Sequence, residues 1–194
     1  MARQAARGGD WEASPPQLPE DIAADRDVDA TSGARTICLK LLTVRSRTRQ
    51  ELAEALRSRG IADDVAGEVL ARFADVGLID DAAFAENFAR ARLADRGLAG
   101  REIARQLRAK GVSEPDVCSA LSQVDTTSER AMARQLADRK VRSMAGLAPA
   151  VQTRRVVGLL ARKGYSPGLA FEVVREVVKD ADLGEPADDT AWPA

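Results

Sequence analysis

Two groups of side chains in this sequence have the types and spacing to do chemistry. The first is acidic. Asp80 and Asp81 stand side by side ahead of an apolar run, and Glu86 follows. Carboxylates grouped in this way can hold a divalent cation and activate a water. They are also what a helix start asks for, because an Asp there accepts hydrogen bonds from free N–H groups and faces the positive end of the dipole. Capping is the reading favoured here, and no metal site is expected.

The second group is basic. Arg45, Arg47, Arg49, Arg57 and Arg59 crowd one short stretch; Arg101, Arg105 and Arg108 fall at i, i+4 and i+7; Arg154, Arg155, Arg162 and Lys163 mark a third stretch. Guanidinium forks suit phosphates and carboxylates alike. Any one of these residues alone reads as a solvated helix position. Their recurrence makes a candidate contact surface of Arg45, Arg47, Arg49, Arg57, Arg101, Arg105, Arg108, Arg154, Arg155 and Arg162. Aromatic residues are not interleaved with them, so a base-stacking platform is not expected.

Much other chemistry is missing. The chain has no histidine, which removes the commonest general base and metal ligand. No phosphate-binding glycine loop and no nucleophile elbow occurs in it. Neither an enzyme nor a cofactor is expected. The two cysteines, Cys38 and Cys118, lie in apolar helical patterns with no CxxC, and read as small buried hydrophobes. No apolar run suggests a signal peptide or a membrane span, so a cytoplasmic protein without membrane partner is expected.

The net charge of −1 conceals an uneven distribution. Residues 1–34 hold three basic and seven acidic side chains, and residues 180–194 hold five acidic and no basic ones. That leaves 26 Lys and Arg against 18 Asp and Glu in residues 35–179. A basic body suits a polyanion or an acidic protein surface.

The elements that position these arginines repeat. "ELAEALRSRGI" (51–61), "EIARQLRAKGV" (102–112) and "RVVGLLARKGY" (155–165) share one pattern. Leu52, Ile103 and Val156 correspond, as do Leu56, Leu107 and Leu160, and then Gly60, Gly111 and Gly164. A basic residue precedes each glycine and an apolar one follows it. Apolar residues at i and i+4 make a helix stripe. The glycine sits where a left-handed residue ends the helix. The cation before it complements the negative helix end. A second helix follows each turn, and a further helix precedes each unit, with Phe84 and Phe88 stacked on the inner side of the second of these. Thr48 and Glu51 read as a capping box. With aromatics at only 4%, Ala, Leu and Val must build the core, which favours helices over sheets.

The expected fold is therefore all-α: three tandem three-helix repeats in an extended array that can curve. The expected divisions are a disordered acidic tail over 1–34, repeats over 35–79, 80–126 and 127–179, and an acidic tail over 180–194. One unit alone should bury its apolar face poorly, and stacking should complete the burial.

"SRTRQELAEALRSRGI", "FADVGLIDDAAFAENFARAR", "GREIARQLRAKGV" and "LLARKGYSPGLAFEVV" closely resemble the RecX regulatory proteins of bacteria. The resemblance runs from about residue 35 to residue 179. It implies tandem three-helix repeats and no catalytic motif. It also implies a partner, the RecA recombinase as a filament on DNA, whose ATPase, strand-exchange and coprotease activities such a protein suppresses. Three functions follow in order of support. The first is a RecA-binding modulator of recombination and repair. The second is an independent helical module that binds DNA through its basic surface. The last is a metal-dependent enzyme using Asp80 and Asp81. No small-molecule substrate is expected.

Overall fold

A computed structural model of the chain describes residues 20–122 and 126–182. Among these residues there are nine α-helices and no strand. They fall into three trios: α1 (Glu20–Val44), α2 (Arg49–Arg57) and α3 (Asp63–Asp75); α4 (Asp81–Arg96), α5 (Gly100–Ala109) and α6 (Glu114–Leu121); α7 (Thr126–Arg142), α8 (Pro149–Arg162) and α9 (Pro167–Asp182).

Each trio encloses its own apolar cluster. Leu52 and Leu56 of α2 pack with Val69, Leu70 and Phe73 of α3 and with Ala34 and Cys38 of α1. Ile103 and Leu107 play the same part in the second trio, against Phe84, Ala85, Ala89 and Val117. Val156 and Leu160 do so in the third, against Ala133, Ala137, Val173 and Val174. The aligned stripe residues of all three middle helices are fully buried. The units are thus more self-sufficient than stacking alone requires, and only Ala99 of the second trio joins a neighbour's cluster.

The turn after each middle helix repeats almost atom for atom. Gly60, Gly111 and Gly164 have φ of 77, 77 and 90°. The N–H of the apolar residue after each glycine reaches back to the last stripe leucine: Ile61 to Leu56, Val112 to Leu107 and Tyr165 to Leu160, each at 3.2 Å. That bond from C″ to C3 is the Schellman closure, and only a left-handed residue allows it.

Three expectations need correction. The reading of residues 1–34 as a disordered tail fails over its second half, because α1 begins at Glu20 and Ala34 is fully buried. Residues 1–19, with Trp11, lie outside the described residues. At the other end α9 continues to Asp182, and residues 183–194 also lie outside them. Cys38 is buried as expected, but Cys118 is exposed on the outer side of α6, with its thiol near Glu114.

The third middle helix is longer than the other two. α2 and α5 begin three residues ahead of their first stripe residues, Leu52 and Ile103, whereas α8 begins seven ahead of Val156. Its extra turn opens with Pro149, whose missing N–H and fixed φ suit a first helical position.

Candidate interaction surface and the repeat joints

The structure first settles the carboxylates at the start of α4. Asp80 is the N-cap: its side chain accepts from the Ala83 N–H at 2.8 Å. Asp81 accepts the backbone N–H of Arg49, across the boundary with the first repeat, at 2.9 Å. Burial raises the Asp81 carboxyl above its ordinary range, and the Arg49 N–H offsets only part of that. Glu86 is exposed. Among the described residues no group of His, Cys, Asp or Glu is arranged to hold a metal ion. One carboxylate caps a helix and the other ties two repeats together.

That tie is half of a joint that occurs twice. Between repeats one and two, the Thr48 hydroxyl donates to the Lys110 carbonyl at 2.7 Å, and the Lys110 ammonium pairs with Glu51 at 2.6 Å. Between repeats two and three, the Ala99 N–H donates to the Lys163 carbonyl at 2.9 Å. The Lys163 ammonium donates to the Arg96 carbonyl, and the buried Tyr165 hydroxyl donates to the Gly97 carbonyl at 3.0 Å. The Gly100 N–H gives its hydrogen to Glu129 at 2.7 Å, as Arg49 does to Asp81. The basic–Gly–apolar turn therefore does two jobs in repeats two and three. It ends its own helix and seats on the start of the preceding middle helix.

Thr48 and Glu51 form the expected capping box. Burial raises the Glu51 carboxyl, but hydrogen bonds from Arg45 and Lys110 outweigh it and hold the carboxyl below its ordinary range.

The arginines do not form one free basic track. Arg45 chelates Glu51 at 3.1 and 3.2 Å, Arg57 pairs with Asp63 at 3.1 Å, and Arg105 and Arg108 fork onto Glu102 and Glu114. These four are neutralised by their own chain. Arg59 folds back onto the Ala55 carbonyl at 2.7 Å. Arg47 is half-buried, and its Nε has no hydrogen-bond partner among the described residues. Arg49, Arg101, Arg154, Arg155 and Arg162 are exposed, and no carboxylate among the described residues pairs with them. Arg101, Arg105 and Arg108 do share one exposed helix side, but Arg101 alone keeps its charge uncompensated there.

The sequence reading missed other cations. Arg92 lies over the Phe88 ring, 4.6 Å from its centroid, and Lys110 faces both Phe84 and Phe88 at 5.9 and 5.7 Å. Phe84 and Phe88 stack at 5.8 Å as expected. An aromatic pair thus does sit among cations, although Arg92 and Phe84 occupy the faces of Phe88. The ammonium was legible only as a helix-end charge. Its aromatic neighbours belong to another helix, so no spacing along α5 reports them.

Glu102 gives an acid-limb prediction. Hydrogen bonds from Arg105 and then Gln106 hold its carboxyl at about 2, down from 4.5. The unfolded chain takes up the proton first as pH falls. The stabilisation is complete above about pH 4.5 and disappears as pH drops toward 2. Glu102→Gln is expected to flatten the loss of stability across that window, read from urea midpoints at successive pH values. An unchanged acid limb would show that the Arg105 pair contributes nothing.

Comparison with known proteins decides the family. Sequence models of the first, second and third three-helix domains of RecX match residues 34–73, 80–121 and 128–174. The chain belongs to the RecX family. The regulatory protein RecX of Streptomyces coelicolor is 50% identical over 152 residues, which is 78% of this chain and 81% of the relative. That of Thermobifida fusca is 45% identical over 176 residues and 91% of both chains. Among solved structures, RecX from Lactobacillus salivarius superposes with a TM-score of 0.67 at 22% identity, over 80% of this chain and 99% of that one. A second crystal structure of a regulatory protein RecX gives 0.69 at 25% identity, over 87% and 81%. RecX proteins are regulatory proteins and not enzymes, and so is this chain. Among the described residues, no helix is long and apolar enough to cross a membrane.

Proposed function

We propose that the chain binds the RecA recombinase in its filament on DNA and lowers its ATPase, strand-exchange and coprotease activities, so that it restrains recombination and repair. The match of all three RecX domains in order carries this reading. A tandem array suits a helical filament, because successive units can meet successive subunits. The exposed, unneutralised arginines recur along the array: Arg49 on α2, Arg101 on α5 and Arg154 on α8. They replace the fuller basic surface expected from sequence as the contact residues of choice.

Adding the chain to RecA on single-stranded DNA is expected to depress ATP hydrolysis. Charge reversal at Arg49, Arg101 and Arg154 together should raise the amount needed by about tenfold, at unchanged helical content, since each exposed cation at a charged interface contributes roughly 0.5 kcal/mol. ATPase that stays constant across a wide titration of the natural chain would remove the reading. Equal inhibition by the triple variant would leave the partner in place and move the contact elsewhere.

A further inference from the structure

The outer side of α9 carries a stripe that the core does not use. Ala170, Val173, Val174 and Val177 are buried in the third cluster. Away from them, Phe171, Arg175, Val178 and Lys179 follow at i, i+4, i+7 and i+8. Phe171 is 58% exposed, and it is the only aromatic among the large exposed hydrophobics of the described residues. With Thr153 of α8 these side chains line a cleft of about 670 Å³. Gly168, one turn before Phe171, leaves room in it for a large ring, since a Cβ there would meet nothing within 4 Å. Val178 packs on the third core cluster, so the cleft floor is an apolar continuation of the core.

The rim of the cleft is positive. Arg175 and Lys179 are exposed, and no carboxylate among the described residues pairs with either. Glu172 also lines the cleft, but Arg130 of α7 compensates its charge at 2.7 Å. An apolar floor beside two uncompensated cations fits a segment with an aromatic anchor and carboxylates a few residues away from it.

We infer that this cleft is the seat of the chain's own residues 183–194, with Trp192 against Phe171 and the acidic side chains along Arg175 and Lys179. The segment carries Glu185, Asp188 and Asp189 and no cation. Residues 1–19 also hold a tryptophan, but their two arginines balance their two carboxylates, and they lead into the first repeat. The order of side chains agrees. A path running back along α9 from Asp182 passes Lys179, then Arg175, then Phe171, while the segment offers Glu185, then Asp188 and Asp189, then Trp192. The reach agrees as well. Phe171 lies about 16 Å along the helix from Asp182, and residues 183–192 span up to about 33 Å. Gly184 and Pro186 are residue types that suit the reversal this path needs. The short tether holds Trp192 at roughly millimolar local concentration, so contacts too weak for a free peptide suffice.

The test uses the full chain and no RecA, so its outcome is separate from that of the filament reading. Trp11 and Trp192 are the two tryptophans, and Trp11→Phe leaves Trp192 as the sole reporter. Its emission should lie to the blue of that of a free peptide of residues 183–194. Its acrylamide quenching constant should be about twofold lower than the peptide's, since a contact of millimolar strength is seated about half the time at millimolar local concentration. Phe171→Asp, at an exposed position, should return both readings to the peptide values at unchanged helical dichroism. Val76→Asp, at a similarly exposed position outside the cleft, should leave both as they are. Arg175→Glu with Lys179→Glu should also raise the quenching constant, and it carries the test if Phe171→Asp does not fold. Peptide-like readings in the parent chain would overturn the inference. So would protection of Trp192 that survives Phe171→Asp, which would seat it elsewhere, or that ignores the charge reversal, which would remove the reason for choosing this segment. Protection that grows with protein concentration between about 1 and about 100 μM would overturn it too, because the cleft would then be filled by a second copy.

Discussion

Gly164→Ala is expected to lower folding stability by about 3 kcal/mol, from a left-handed penalty of roughly 1 kcal/mol and overpacking of roughly 1–3 kcal/mol. Gly164 has a φ of 90°, and an added Cβ would stand 2.5 Å from the Glu102 Cβ and 3.0 Å from the Glu102 backbone nitrogen. Neither atom can swing away, because both belong to the start of α5. Gly60 has the same left-handed backbone, at 77°, but a Cβ there meets nothing within 4 Å. Gly60→Ala should therefore cost only about 1 kcal/mol. Urea unfolding followed by helical dichroism compares the two. Equal losses would show that the turn of repeat three does not bear on repeat two. Gly111 resembles Gly164, because its Cβ would stand 2.5 Å from the Gln50 Cβ at the start of α2, and only the amide end of Gln50 can rotate aside.

The second large effect belongs to the core. Leu160→Ala removes a fully buried side chain from the third cluster, and should cost about 2–5 kcal/mol. More telling is where the loss appears. The three clusters are distinct, so amide exchange should quicken through α7, α8 and α9 while the amides of α2 and α3 keep their protection. Uniform loss of protection along the chain would mean that the joints bind the repeats into one cooperative unit.

What could be read from sequence was whatever depends on neighbours along one helix. The stripe Leu52–Leu56 and its counterparts, the capping box at Thr48 and the left-handed glycines all follow from spacing, and the structure has each of them. The start of α1 was hidden for a local reason. Ala34 stands among Thr31, Ser32, Gly33, Arg35 and Thr36, so it buries fully while giving little hydropathy signal. The joints were hidden for a different one. Asp81 looks like half of a helix cap until Arg49 is seen to donate to it, and Lys110 looks like a helix-end charge until Glu51 and Phe88 are beside it. Those pairs join one repeat to the next. They become legible only when two spacings, that of the middle helices and that of the first helices, are laid over each other. The arginines went partly unread because fork-to-carboxylate pairing within the chain, as at Arg105 and Arg108, silences charges that a count treats as available.

The longer N-terminus of α8 bears on how units can be added. In repeats one and two, the start of the middle helix is the seat on which the next turn rests, with Glu51 there to receive Lys110. In repeat three that seat is filled by the helix's own extra turn from Pro149, and Arg155 stands where Glu51 and Glu102 stand in the others. The turn of repeat one, headed by Arg59 and uncovered at Gly60, is the surface a second copy would offer to it. It would meet backbone where it needs space and a like charge where it needs a carboxylate. A heterologous contact of that kind would not close and would grow into a fibre. The longer start of α8 therefore disfavours end-to-end addition at the third repeat.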